Sequence, residues 1–267
     1  MIYEVKKILL FSFLTLAISA CTEIAPVVPT LGDRKVLVEE FTGVRCVNCP
    51  AGASELDNLR GIYGDRLVVV SIHTGDFSTP YSDSKFDFRT PEGTALEKNL
   101  GAPLGYPTAV INRKKFTGQT GLQVGRSLWA GLIASETKEA AAVSLSVEKT
   151  YNATTRQFQM TIKAVENTKD ALKNTVFSAM ITEDNILDAQ ETPSGKKADY
   201  KHRHIFRGFA ADDVAINLTN SASINYTFNG VLKPNWLLEN CAVVLVLNQK
   251  NGGVKDVLQV LEVKITN

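Results

Sequence analysis

The sequence predicts an α/β unit followed by an all-β half. Two observations carry this. From Lys35 to Ile72 the order is short strand, CxxC segment, helix, and continuous apolar strand. From Val143 onward, short runs that alternate apolar and polar residues recur between Asn-, Gly- and Thr-rich turns, with no long helix. The chain length, 267 residues, suits one large domain or two ordinary ones.

Composition narrows the class. Hydrophobic residues make up 44% and charged residues 21%, the profile of a folded chain rather than a disordered one. A formal net charge of +1 with no basic stripe excludes nucleic acid as a partner. Four Cys are too few for a disulfide scaffold, and three His restrict His-rich metal sites. No metal set is expected, and no cofactor.

The first twenty residues read as export signal. Lys6 and Lys7 precede an apolar run from Ile8 to Ala17, too short to span a bilayer, which takes about 20 apolar residues. Ile18-Ser19-Ala20-Cys21 then looks like a bacterial lipobox, with Cys21 as the lipidated residue. Thr22 rather than Asp follows, so nothing retains the protein at the inner membrane. Residues 21–33, with two Pro, suit a tether. Outside the cytosol disulfides persist. With Cys21 lipidated, Cys46 and Cys49 form a close pair and Cys241 is left over.

The first half, 34–140, starts with the strand Lys35–Phe41. A loop leads to Cys46-Val47-Asn48-Cys49-Pro50. Residues 51–63 read as a helix, with Ala53, Leu56, Leu59 and Ile62 recurring at three-residue steps. Leu67–Ile72 is apolar throughout, the mark of a strand buried on both faces. Residues 73–90 are polar and aromatic, an inserted loop beside the Cys pair. A helix is expected from about Glu92 to Leu100, then Tyr106-Pro107-Thr108 and a strand at Ala109–Asn112. Lys115–Gly118 reads as the start of a hairpin strand, and Leu122–Lys138 as a closing helix with Val124, Leu128, Leu132 and Ile133 on one side.

The second half, 141–267, contains alternating runs at Val143–Val147, Phe158–Ala164, Phe177–Ile181, Ile224–Phe228, Ala242–Leu247 and Val260–Ile265. About seven short strands with such turns predict a β-sandwich of immunoglobulin type.

A CxxC at a strand-to-helix turn, with a Tyr-Pro-Thr before a later strand, resembles the thioredoxin fold over roughly residues 34–140. That resemblance implies a cis Pro107 facing the Cys pair. The chain departs from the pattern: no Trp precedes Cys46, no Pro lies between the two Cys, and the 73–90 loop is long. The lipobox, Phe41-Thr42-Gly43 before Cys46-Val47-Asn48-Cys49-Pro50, the Tyr-Pro-Thr loop and the β-rich second half together resemble the Omp-twenty-eight-related family. These are outer-membrane lipoproteins typical of Bacteroidetes. The resemblance implies an outer-membrane location on either face, with adhesion or host contact proposed for members, and no settled activity.

The Cys pair carries the chemistry. A Cys at a helix N-terminus lies at the positive end of the helix dipole, which favours the nucleophilic thiolate. Cys46 is expected to be the exposed attacker, helped by Arg45, with Cys49 resolving the mixed disulfide and Pro107 presenting backbone to a substrate. Two readings stay open. The pair exchanges disulfides with envelope proteins, or Cys46–Cys49 is a permanent staple in a surface binding or adhesion lipoprotein. Copper delivery, with His73 beside the thiols, is a distant third. Expected partners are the membrane, through the lipid, and envelope or host-surface proteins. His202-Arg203-His204 reads as a solvated loop, His73 as a hydrogen-bonding loop residue, Cys241 as a core residue, and the Asn152, Asn217 and Asn225 sequons as turn and strand polarity.

Overall fold

The structure, a computed structural model, describes residues 33–216, 222–251 and 254–266. The leader at 1–20, Cys21 and the Asn217 sequon lie outside the described residues.

Strand β1 (Val36–Thr42) is buried along its whole length. Because strand side chains alternate between faces, the consecutive Glu39 and Glu40 point to opposite sides of the sheet. Glu39 is held by Arg113 in a two-pronged ion pair, with Nη2–Oε1 at 2.6 Å and Nε–Oε2 at 2.9 Å. Glu40 faces the other side and belongs to the site described below.

Helix α1 (Cys49–Tyr63) starts at the second Cys, with Pro50 in its first turn, where a missing N–H costs nothing. It buries Gly52, Leu56, Leu59 and Tyr63. Ile62 is 59% exposed, so the apolar stripe does not run in strict three-residue steps. At 3.6 residues per turn it drifts, and Tyr63 takes the inward position. Strand β2 (Leu67–His73) lies parallel to β1, pairing Val36 with Leu67 and Glu40 with Ser71. The long loop follows. Thr90 caps helix α2 (Pro91–Leu100), its hydroxyl accepting from Gly93 N at 2.9 Å.

Strand β3 (Thr108–Ile111) pairs antiparallel with β1, and β4 (Gln123–Gly125) pairs with β3. Helix α3 (Trp129–Glu136) closes this half. The expected hairpin strand at 115–118 and the start of the expected helix at 122 are both corrected here. Val124 is a buried strand residue, its carbonyl accepting from Thr108 Oγ1 and Trp129 Nε1, both at 3.0 Å. Those bonds hold 123–125 extended, and the helix begins only at Trp129.

The second half supplies β5 (Val143–Asn152), β6 (Gln157–Glu166), β7 (Thr175–Glu183), β8 (Ile186–Thr192), β9 (Gly195–His202), β10 (Ile205–Ile216), β11 (Ser223–Val231), β12 (Cys241–Asn251) and β13 (Val254–Lys264). The result is a mixed α/β fold dominated by strands. One sheet of eight strands has the order β13-β12-β7-β10-β2-β1-β3-β4. A three-stranded sheet, β11-β6-β5, stacks on the β7 and β12 part of it. The hairpin β8-β9 is a separate two-stranded ribbon.

The large sheet therefore crosses the 140/141 boundary. At the crossing, Ile205 of β10 lies beside Ser71 of β2 in a parallel bridge, and Ser71 N donates to His204 O at 2.7 Å. The core crosses with it. Leu37, Phe41, Val70, Ile72 and Leu96 pack in one buried cluster with Met180, Phe206, Val244 and Val260. A β-sandwich of immunoglobulin type was expected over 141–267. Strands β13-β12-β7-β10 of that half are continuous with the first half's sheet, because β2 is apolar on both faces and needs a neighbour on its free edge.

A shared core makes the halves unfold together. Urea denaturation followed by near- and far-UV circular dichroism should give one coincident transition. Phe206→Ala should lower its midpoint, at a cost of about 3–5 kcal/mol, without splitting it into two.

Candidate functional site

Cys46 and Cys49 are joined in a disulfide, their Cα atoms 5.4 Å apart. The turn that presents them closes on itself. Cys46 N donates to Gly43 O at 3.1 Å, and Cys49 N donates to Cys46 O at 3.3 Å. Cys49 opens α1, so both sulfurs sit at its positive end.

The Tyr106–Pro107 peptide bond is cis. Pro107 packs onto the first turn of α1 where Gly52 has no side chain: a Cβ there would come within 2.7 Å of Pro107 Cγ and 3.1 Å of Glu40 Oε1. Glycine is thus required by close approach, and at this point the Cys helix, the proline loop and Glu40 converge.

Glu40 is buried among apolar strands. Its Oε2 accepts from Ser71 Oγ at 2.9 Å, while Oε1 has no partner. Burial pushes its carboxyl up to about 7, against the lowering effect of the Ser71 bond. Glu40 and Cys49 line one small cavity with Ser71, His73, Tyr200 and His202. Its volume, about 40 Å³, suits one or two waters.

The expectation that Cys46 is exposed is corrected. Cys46 is 3% and Cys49 2% exposed. Their cover is the β8-β9 hairpin. Gln190 is buried, and its Nε2 donates to Gly43 O at 3.2 Å and Cys46 O at 3.0 Å. Glu191 N donates to Val44 O at 2.7 Å. Asp188 accepts from Lys85 N and Phe86 N, and Tyr81 Oη donates to Glu191, so hairpin and 74–90 loop brace each other. Arg203 pairs with Asp57 of α1 at 2.9 Å.

Arg45 does not direct its charge at the sulfurs. Its guanidinium donates to Thr79 O and Pro80 O at 2.7 and 2.9 Å and lies over the Tyr81 ring at 4.2 Å. The histidine segment is also corrected: His202 and His204 are buried, not solvated. His202 Nε2 donates to Ala189 O at 3.3 Å, and its ring lies 5.7 Å from that of His73. His204, at φ 54°, turns away, with its Nδ1 3.2 Å from Asp184 Oδ1. Burial holds all three rings below the usual histidine range, His202 down to about 4 and His73 lower than its ordinary value by a wide margin. They are neutral at pH 7. Among the described residues, no group of three or more His, Cys, Asp or Glu is placed to hold a metal ion.

Cys241 is buried at the start of β12, its Sγ donating to Leu237 O at 3.1 Å. Burial pushes its thiol up to about 12, so it holds no thiolate at neutral pH. Asn152 Oδ1 accepts from Thr154 N and Thr155 N, which makes it a turn residue.

Sequence reasoning missed Glu40 and Gln190. Two carboxylates inside an apolar strand were a signal for Glu40. Gln190 had none, being far from the Cys pair in sequence.

A disulfide at a helix start, a proline loop against it and a buried carboxyl beneath define a CxxC protein with a mixed, shared sheet. A family model described as "Outer membrane protein Omp28" matches residues 94–267, and the chain belongs to this family of outer-membrane proteins. The match begins after the Cys pair. Among solved structures, HBP35 of Porphyromonas gingivalis is similar at 18% identity and a TM-score of 0.69, over 89% of this chain and 76% of that one. A protein from Agrobacterium tumefaciens is similar at 14% identity and a TM-score of 0.55, over 88% and 96%. A domain of the outer membrane lipoprotein Omp28 from Porphyromonas gingivalis aligns at 17% identity and a TM-score of 0.33, over 47% and 96%. A comparison with curated proteins gave no match. No helix among the described residues is long and apolar enough to cross a membrane.

The raised carboxyl of Glu40 has a sign for stability. Its folded value lies above its ordinary one, so its ionisation opposes folding once pH exceeds about 4.5. Between pH 5 and 8 the wild type should lose about 2.5 kcal/mol relative to Glu40→Gln, because each tenfold difference in proton affinity between folded and unfolded chains is worth about 1.4 kcal/mol. Paired urea titrations of the two proteins check this.

Proposed function

We propose that this outer-membrane protein is a lipoprotein that exchanges disulfides with envelope proteins through Cys46 and Cys49. The observation that carries the reading is Glu40: an unpartnered carboxyl oxygen, half-ionised near pH 7, in the cavity that Cys49 lines. In this reading residues 34–140 are thioredoxin-like, supported by the strand order β2-β1-β3-β4 and by Pro107 ahead of β3. Residues 141–267 are an immunoglobulin-type sandwich, supported by β11-β6-β5 stacking on β13-β12-β7-β10. The lipid is on Cys21, supported by the Ile18-Ser19-Ala20-Cys21 motif.

The internal disulfide is first opened by a dithiol reductant of the envelope, which is oxidised to its own disulfide and leaves both Cys46 and Cys49 as thiols. Exchange then begins when the Cys46 thiolate attacks one sulfur of a partner disulfide, and the other sulfur leaves as thiolate. Glu40 takes the proton from Cys49 Sγ. The Cys49 thiolate attacks Cys46 Sγ, closes the internal disulfide and releases the second partner thiolate. Two electrons pass from the Cys pair to the partner.

A second reading rests on the burial of both Cys under the hairpin. There the disulfide is a staple, and the protein is a binding or adhesion lipoprotein.

Trapping separates the two. Cys49→Ala should accumulate mixed disulfides with envelope proteins, and reduced Cys46 should alkylate below the free-Cys value of about 8.5. A bond that resists mild reductant, with no trapped partner, supports the staple. The anchor has its own test: labelled fatty acid should enter the wild type and not Cys21→Ser.

A further inference from the structure

Exchange at Cys46 requires that something set the geometry of its turn, and the turn's own bonds are few. Gly43 O and Cys46 O each accept one bond from inside the segment, from Cys46 N and Cys49 N. Each also accepts from Gln190 Nε2, at 3.2 and 3.0 Å. One amide group therefore ties the start of the turn to its reactive residue. That amide arrives from the second half on a hairpin that belongs to neither large sheet. The hairpin is pinned on both flanks, by Lys196–Asp83 at 2.6 Å and Arg203–Asp57 at 2.9 Å.

We propose that Gln190 is the positioning residue of the Cys46–Cys49 pair. It holds the turn so that the two sulfurs stay within bonding reach, and it does so with an uncharged amide bound to the Cys46 carbonyl. The proposal rests on the reading of the pair as reducible in the folded protein. A fixed turn raises the effective concentration of each thiol at the other, which favours the disulfide. Removing the donor loosens the turn and favours the dithiol. Placing a carboxylate there penalises the Cys46 thiolate.

Other groups face this turn and stay constant in the test. Arg45 is in the turn itself. Glu40 comes from β1, Asp57 from α1, His73 from β2 and Tyr81 from the loop. Glu191, Lys196 and His202 come from the hairpin.

The experiment compares wild type, Gln190→Met, Gln190→Ala and Gln190→Glu, all full length. Redox equilibration against glutathione gives the stability of the disulfide. Alkylation rate against pH gives the Cys46 pKa. Met and Ala variants should both shift the equilibrium about tenfold toward the dithiol, which is ~30 mV for a two-electron couple. Their Cys46 pKa should stay near that of wild type. Gln190→Glu should raise the Cys46 pKa by about one unit. Unchanged equilibrium constants in the Met and Ala variants would overturn the proposal, and that pair decides the matter even if Gln190→Glu does not fold. The underlying reading fails differently. A wild-type Cys46 that never alkylates below pH 8.5 and a bond that mild reductant leaves intact would remove the exchange activity, while the Gln190 shifts would still be measurable with a stronger reductant.

Discussion

The surroundings of the Cys pair depend on where β10 enters the sheet. Strand β2 is buried on both faces, so an outer edge left unpaired inside the fold would strand backbone N–H and C=O groups. Ile205 meets that edge beside Ser71, and the His204 carbonyl takes the Ser71 N–H. The chain reaches this point from β9 through a left-handed residue, His204 at φ 54°. The hairpin that precedes it is thereby laid along α1 and over Cys46. A small edge contact thus decides that residues from the second half complete a site begun in the first.

Two adjacent carboxylates show how one strand serves two ends. Glu39 is neutralised by a bidentate arginine, so its charge is matched inside the fold. Glu40 receives only one hydroxyl, which does not offset the cost of burial, and its carboxyl rises to about 7. The difference lies in the partner each face offers. A fully paired carboxylate, Glu39, has an arginine nitrogen at each oxygen. A half-paired one, Glu40, at the edge of a small cavity can change its charge near neutral pH, the property on which the proposed proton transfer with Cys49 rests.

Much of the first half was legible because its signals are local. A CxxC followed by Pro marks a strand-to-helix turn, the 67–72 run marks a doubly buried strand, and Tyr106-Pro107 marks the loop that packs on Gly52. The misreadings came from long-range contacts. Val124 satisfies a helical pattern, yet bonds from Thr108 and Trp129 hold it in a strand. Residues 194–201 are polar and Gly-, Lys- and Asp-rich, as a loop is, but pair with β8 because the loop at 74–90 gives the hairpin a surface to lie on. Cys46 looked exposed because nothing near it in sequence could cover it. The continuity of the sheet was invisible for the same reason: alternation marks a strand and its buried face, not the neighbour it pairs with.

The distance in sequence between the Cys pair and its cover sets an order in time. The protein reaches its membrane by export, and both cysteines emerge long before residues 186–202. Until that hairpin arrives, Cys46 lacks the cover of Gln190 and Glu191, and its turn is held by its own backbone bonds and by those of Arg45 to the 77–80 loop. The pair is therefore open to oxidation in a form that the finished molecule does not present. The same segment that shields the sulfurs in the mature protein leaves an interval in which they are made or remade, and it closes that interval when the sheet is completed.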